Sequence, residues 1–143
     1  MKEPRCRGLP NEGNFDMAKI LLIDDEEIVR SCLRFVLENG GHEVFEASDG
    51  EEGVSKFKEM ASISKPINVV VTDILMPKKN GYETIAEIQD IMRDVKIIAI
   101  SGGGGADPKE ILDISTNFLG VDQVLVKPVL SEELLKAVDH CLQ

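Results

Sequence analysis

Asp24-Asp25-Glu26-Glu27, Asp73, Ser101 and Lys127 are the residues of this 143-residue chain whose types could do chemistry in concert. Held together, several carboxylates repel one another, and one of them holds a proton more tightly unless a cation compensates. Hard oxygen donors of this kind suit Mg2+, which takes one or two carboxylates and completes its shell with water and substrate phosphate oxygens. An aspartate carboxylate is also a nucleophile toward a phosphoryl group. The equatorial oxygens of a group in transfer need compensating charge. A divalent ion, the Lys127 ammonium and a hydrogen bond from the Ser101 hydroxyl would supply it. Each residue has an ordinary structural use as well: Asp25 as a helix cap, Ser101 in a turn, Lys127 as a solvated strand end. Chemistry requires the fold to bring them to one place.

From Lys19 onward the chain alternates short β-branched runs with longer amphipathic stretches. Lys19–Ile23 is a continuous apolar run that suits a strand covered on both faces. Glu26–Glu38 has apolar residues at helical spacing and ends at Asn39-Gly40-Gly41, a strong C-terminal stop. His42–Ala47 reads as a strand, Asp49–Met60 as a helix with Val54 and Phe57 inward, and Ala61–Lys65 as a connector closed by Pro66. Ile67–Thr72 is the third and most hydrophobic strand, followed by a loop over Asp73–Asn80 and a helix from about Gly81 to Arg93. Val95–Ile100 is the fourth strand, with Ser101 and four glycines, Gly102–Gly105, after it. Asp107 can cap a helix with Pro108 at its first position, ending near Gly120. Gln123–Val126 is the fifth strand, and Ser131 opens a last helix to Leu142. Five such βα units imply a single doubly wound parallel sheet with helices on both faces and right-handed crossovers. Functional residues of such sheets sit just past the carboxyl ends of the strands. The acidic run follows strand one, Asp73 strand three, Ser101 strand four and Lys127 strand five. Four independent strand ends carrying polar groups that address one point make the ordinary readings poor jointly.

Leu22-Ile23-Asp24-Asp25-Glu26, Asp73-Ile74-Leu75-Met76-Pro77 with Gly81 eight residues after Asp73, Ile100-Ser101-Gly102 and Val126-Lys127-Pro128 together resemble the signatures of the receiver domain of two-component response regulators. The resemblance covers residues 19 to about 142, and its joint order and spacing are specific. It implies the flavodoxin-like α/β fold, a five-stranded parallel sheet of order 2-1-3-4-5 with five helices. It implies Asp73 as phospho-acceptor, and Asp24, Asp25, Asp73 and the backbone carbonyl of Leu75 as the protein's share of a Mg2+ site. Ser101 matches the hydroxyl residue that turns toward the phosphoryl group, and Lys127 the lysine that contacts it; Lys127-Pro128 is then expected to be cis. Three positions depart from the pattern. Val124 stands where the family commonly has Tyr or Phe, Leu75 and Gly103 occupy the positions that flank water access to the phosphoaspartate, and the four-glycine run suggests a mobile loop. That run matches neither GxxxxGK[ST] nor GxGxxG, the nucleotide-binding loop patterns.

Charge bounds the partners. The chain carries 16 basic and 26 acidic residues, a net of −10. Such a surplus argues against direct contact with nucleic acid or with an anionic membrane. No apolar run approaches a spanning helix, and no signal-peptide core is present. Residues 1–17 are rich in Pro, Gly and Asn without apolar periodicity and read as a disordered extension of a domain over 18–143. Cys6, Cys32 and Cys141 are scattered, and His42 and His140 lie far apart, so reduced thiols in a cytoplasmic protein are expected rather than a zinc site. The reading is therefore a stand-alone regulator and not a metabolic enzyme. It takes its phosphoryl group from a histidine kinase or phosphotransfer protein, in a Mg2+-dependent step, and signals to a downstream protein as a monomer or weak phosphorylation-dependent dimer. The alternatives are a relay intermediate or phosphate sink, an aspartate-nucleophile phosphatase and a flavin binder. The phosphatase needs a second Asp where Leu75 stands, and the flavin binder needs a phosphate loop where the acidic run stands.

Overall fold

The computed structural model describes residues 17–74, 80–101 and 120–143. Five strands form one parallel sheet: β1 (Lys19–Ile23), β2 (Glu43–Ala47), β3 (Val69–Asp73), β4 (Lys96–Ser101) and β5 (Gln123–Val126), in the order β2-β1-β3-β4-β5. Among the described residues four helices flank it: α1 (Glu27–Asn39), α2 (Gly50–Ser62), α3 (Gly81–Ile91) and α4 (Ser131–Cys141). The helix expected over 107–120, the Gly102–Gly105 loop and the extension up to residue 16 lie outside the described residues.

Adjacent residues of a strand point to opposite faces, so each apolar run feeds two cores. Leu21, Ile23, Val70, Ile97 and Ala99 form one core layer, with Val54 and Phe57 of α2 and Ile85 and Ile88 of α3. Ile20, Leu22, Val69, Val71, Ile98 and Ile100 form the other, with Leu33 and Leu37 of α1 and Leu134 and Val138 of α4. Covering both faces is why these strands read as unbroken hydrophobic runs.

The helix ends follow from their flanking residues. Asp49 accepts from the Glu52 backbone N–H at 2.8 Å, and Glu52 returns to the Ser48 N–H at 2.6 Å, a reciprocal cap at the start of α2. Asn80 caps α3 through the Glu83 N–H at 3.0 Å. At the end of α1 the Gly41 N–H reaches the Glu38 carbonyl and the His42 N–H the Leu37 carbonyl, with Gly41 at φ +95. This paired closure needs a left-handed residue, which glycine adopts at no steric cost.

Two strands run one residue further than the apolar pattern predicts. Asp73 pairs with Ile100 and Ser101 with Val126, so the backbone ladder outlasts the apolar side chains and carries both polar residues on its last rung.

His42 is buried, and its Nδ1 accepts from the Ala18 backbone N–H at 3.1 Å, tying the chain entering β1 to the start of β2. Burial holds its pKa below the ordinary value, with Asp139 opposing weakly. Only the neutral ring can accept this bond. Stability is thus intact above the ordinary value of 6.5 and falls as pH drops toward the depressed folded value. Thermal melts should lose more stability between pH 7 and 5 for wild type than for a His42→Asn variant.

Candidate functional site

β1 ends at Ile23, and Asp24 is the first residue beyond it. Its N–H donates to the Ala47 carbonyl of β2 at 3.2 Å, and its carbonyl accepts from Arg30 Nη1 at 2.7 Å. Its Oδ1 accepts from the Glu26 N–H at 2.8 Å, so Asp24, rather than Asp25, closes the turn into α1. Asp25 is exposed. Asp73 reaches the same rim from the central strand β3. Asp24 and Asp73 are 1% and 3% exposed, and Asp24, Asp25 and Asp73 offer carboxylate oxygens that lie within 4.8 Å of one another.

Lys127, the residue after β5, is two strands away from Asp73 in the sheet. Two interstrand spacings are roughly 9–10 Å, so only a long side chain closes the distance. Its Nζ lies 2.9 Å from Asp73 Oδ2, 3.3 Å from Glu26 Oε1 and 3.7 Å from Asp24 Oδ2. Burial works to lower the Lys127 pKa, but the hydrogen bond and charge of Asp73, joined by Asp24 and Glu26, outweigh it and raise the value. Burial raises the pKa of Asp24; the Glu26 N–H and Lys127 oppose this, while Asp73 and Asp25 add repulsion. Asp24 Oδ2 is buried without a hydrogen-bond partner. A buried carboxylate oxygen left over beside two further carboxylates is a donor set that suits a hard divalent cation, and Mg2+ fits it.

Ser101 sits on β4, the strand between Asp73 and Lys127, and its carbonyl accepts from the Lys127 N–H at 2.9 Å. The Lys127-Pro128 bond is cis, as the resemblance implied. Val124 pairs with Ala99 and packs half-buried against the core layer of α2 and α3. Leu75 and Gly103 lie outside the described residues. Gly81 has a steric role: a Cβ there would meet the Asp73 carbonyl oxygen and the Ile74 Cα, each at 2.6 Å. Its N–H donates to the Ile74 carbonyl at 2.8 Å, so the first turn of α3 rests directly on the backbone that carries Asp73.

The 2-1-3-4-5 parallel sheet with an acidic trio and a lysine at its carboxyl edge defines a flavodoxin-like domain built around a carboxylate pocket. The family model described as the response regulator receiver domain matches residues 20–139, and the chain belongs to this family of two-component signalling domains. It is 33% identical over 122 residues to "Chemotaxis protein CheY" of Thermotoga maritima, covering 85% of this chain and 94% of that protein. It is 31% identical over 127 residues to "Transcriptional regulatory protein CpxR" of Klebsiella pneumoniae, covering 89% of this chain but only 50% of that one. Among solved structures, a response regulator receiver domain protein from Clostridium thermocellum superposes with a TM-score of 0.78 at 32% identity, covering 88% of this chain and 94% of that one. Vibrio cholerae CheY4 superposes at 0.74 with 26% identity, covering 88% and 99%. Receiver domains act in signalling, bind Mg2+ at an acidic pocket and work with histidine kinases or phosphotransfer proteins. Among the described residues no helix is long and apolar enough to cross a membrane.

Two outcomes check this geometry. Because the folded pKa of Asp24 is raised, stability falls as pH climbs from the ordinary value of 3.8 to the raised one and stays lowered above it. Metal-free Asp24→Asn should melt above wild type at pH 7, with the gain shrinking as pH approaches 3.8. Gly81→Ala, pressed against backbone rather than a movable side chain, should cost about 1–3 kcal/mol in urea denaturation.

Proposed function

We propose that this chain is a phosphorylation-controlled switch that receives a phosphoryl group on Asp73 from a histidine kinase or phosphotransfer protein. The observation that carries the reading is the half-satisfied pocket: Asp24 Oδ2 is buried without a hydrogen bond while Lys127 holds Asp73 Oδ2 at 2.9 Å. One carboxylate oxygen of Asp73 attacks the phosphorus, the bond from phosphorus to the donor's imidazole nitrogen breaks, and its electron pair leaves with the imidazole. Lys127 holds the Asp73 carboxylate in place through its 2.9 Å contact, and stays beside the acquired phosphoryl oxygens as a point cation. Ser101, on the intervening strand, donates its hydroxyl to those oxygens. Asp24, Asp25 and Asp73, with the Leu75 carbonyl, would hold Mg2+. When bound there, the ion offsets carboxylate repulsion and the negative charge of the transferring group.

A groove of about 610 Å3 lined by Ile28, Val29, Cys32, Leu33, Pro128 and Val129 opens at Lys127. Ile28 is exposed and apolar. An apolar surface beside the acceptor supports a protein donor and output by protein contact. In this reading residues 18–143 are the receiver domain, cytoplasmic and monomeric or weakly dimeric on phosphorylation, and residues 1–17 an extension.

Incubation with acetyl phosphate and Mg2+, followed by intact mass measurement, should add one phosphoryl group to wild type and none to Asp73→Asn. Chelating the metal should abolish labelling. Equal labelling of the variant would overturn the assignment. Mg2+ at one hundred times its dissociation constant should stabilise wild type by about 2.7 kcal/mol.

A further inference from the structure

Arg30 and Glu46 belong to no site motif, yet Arg30, held by Glu46, ends on the backbone of the acidic pocket. Arg30, on the first turn of α1, is largely buried, with 16% of its side chain exposed. Its Nη1 donates to the Asp24 carbonyl at 2.7 Å and its Nε to Glu46 Oε1 at 2.9 Å. Glu46 lies on β2, where Arg34 takes its other oxygen and Lys56 Nζ reaches its carbonyl at 3.2 Å. The next residue, Ala47, accepts the Asp24 N–H at 3.2 Å. Both polar groups of the Asp24 backbone are therefore fixed: the N–H by β2 and the carbonyl by α1. That carbonyl belongs to the peptide joining Asp24 to Asp25. Asp25 is exposed, and the backbone beneath it sets the direction from which its carboxylate starts.

We infer that Arg30, oriented by Glu46, is a positioning residue that holds the Asp24–Asp25 peptide in the geometry a divalent cation needs. This rests on the reading that Asp24 and Asp25 bind Mg2+. A planar guanidinium suits the task because its fixed fork spans a carbonyl and a carboxylate at once. Groups that orient metal ligands change affinity roughly 10- to 100-fold when removed. Position and charge oppose each other here, which makes the role testable. Removing a cation beside a cation site strengthens metal binding by Coulomb's law. Loosening the ligands weakens it.

The test is a Mg2+ titration of the unphosphorylated protein, followed by backbone amide shifts, for wild type, Arg30→Met, Glu46→Gln and the double variant. The expected result is roughly tenfold weaker binding for Arg30→Met, a smaller loss for Glu46→Gln, and a double variant no worse than Arg30→Met. Acetyl phosphate labelling should need a matching rise in Mg2+. Unchanged or tighter binding in a destabilised Arg30→Met would overturn the proposal and leave Arg30 as a staple between helix and strand. If Arg30→Met does not fold, Glu46→Gln, which keeps the side-chain shape, decides on the same criterion. Absence of saturable binding in wild type would overturn the Mg2+ reading itself, and the role of the pair with it.

Discussion

Two aspartates almost excluded from water, at the edge of a sheet whose middle is entirely apolar, are the constraint around which this domain is arranged. An uncompensated carboxylate in such a place is strongly disfavoured. The compensation comes from a distant part of the sequence: Lys127, 54 residues beyond Asp73, supplies the charge. A parallel sheet is the architecture that allows it, since all strands deliver their carboxyl ends to one edge. Helices on both faces then keep the rim poorly solvated, which strengthens every charge interaction within it.

Lys127 is already engaged by Asp73, Asp24 and Glu26 before any phosphoryl group arrives. Under the proposed reading, modification of Asp73 would exchange partners of an existing cation rather than recruit a free one. The bias it would produce is a difference between two ion-pair arrangements of the same lysine. Val124, held in β5 against the α2 and α3 layer, offers no ring to report such an exchange, so in the proposed reading it would fall, among the described residues, to Lys127 and Ser101 to register it.

Much of this was legible from residue order. Continuous apolar runs identified the strands because both sheet faces are covered, and Asn39-Gly40-Gly41 marked the end of α1 because its closure demands a left-handed residue. The shared rim of Asp24, Asp25, Asp73, Ser101 and Lys127 was legible because four strand ends carry polar groups that can address one point. What escaped was tertiary. Arg30 and Glu46 are sixteen residues apart on different elements, and only the fold shows that Arg30 bridges Glu46 to the Asp24 carbonyl. His42 looked like a stray histidine until the fold placed its ring against the Ala18 N–H. Asp25 has the type and place of a cap for α1, but no side chain caps that helix; Asp24 instead closes the turn before it through the Glu26 N–H.

The close seat of Gly81 has a mechanical meaning. With no room for even one added carbon between α3 and the Asp73–Ile74 backbone, there is no slack at that junction. Protein interiors packed this tightly transmit displacement instead of absorbing it. The end of β3 and the first turn of α3 thus behave as one lever, and any shift of the peptide beneath the Asp73 carboxylate is felt along a helix whose outer face, through Glu83 and Asp90, meets solvent.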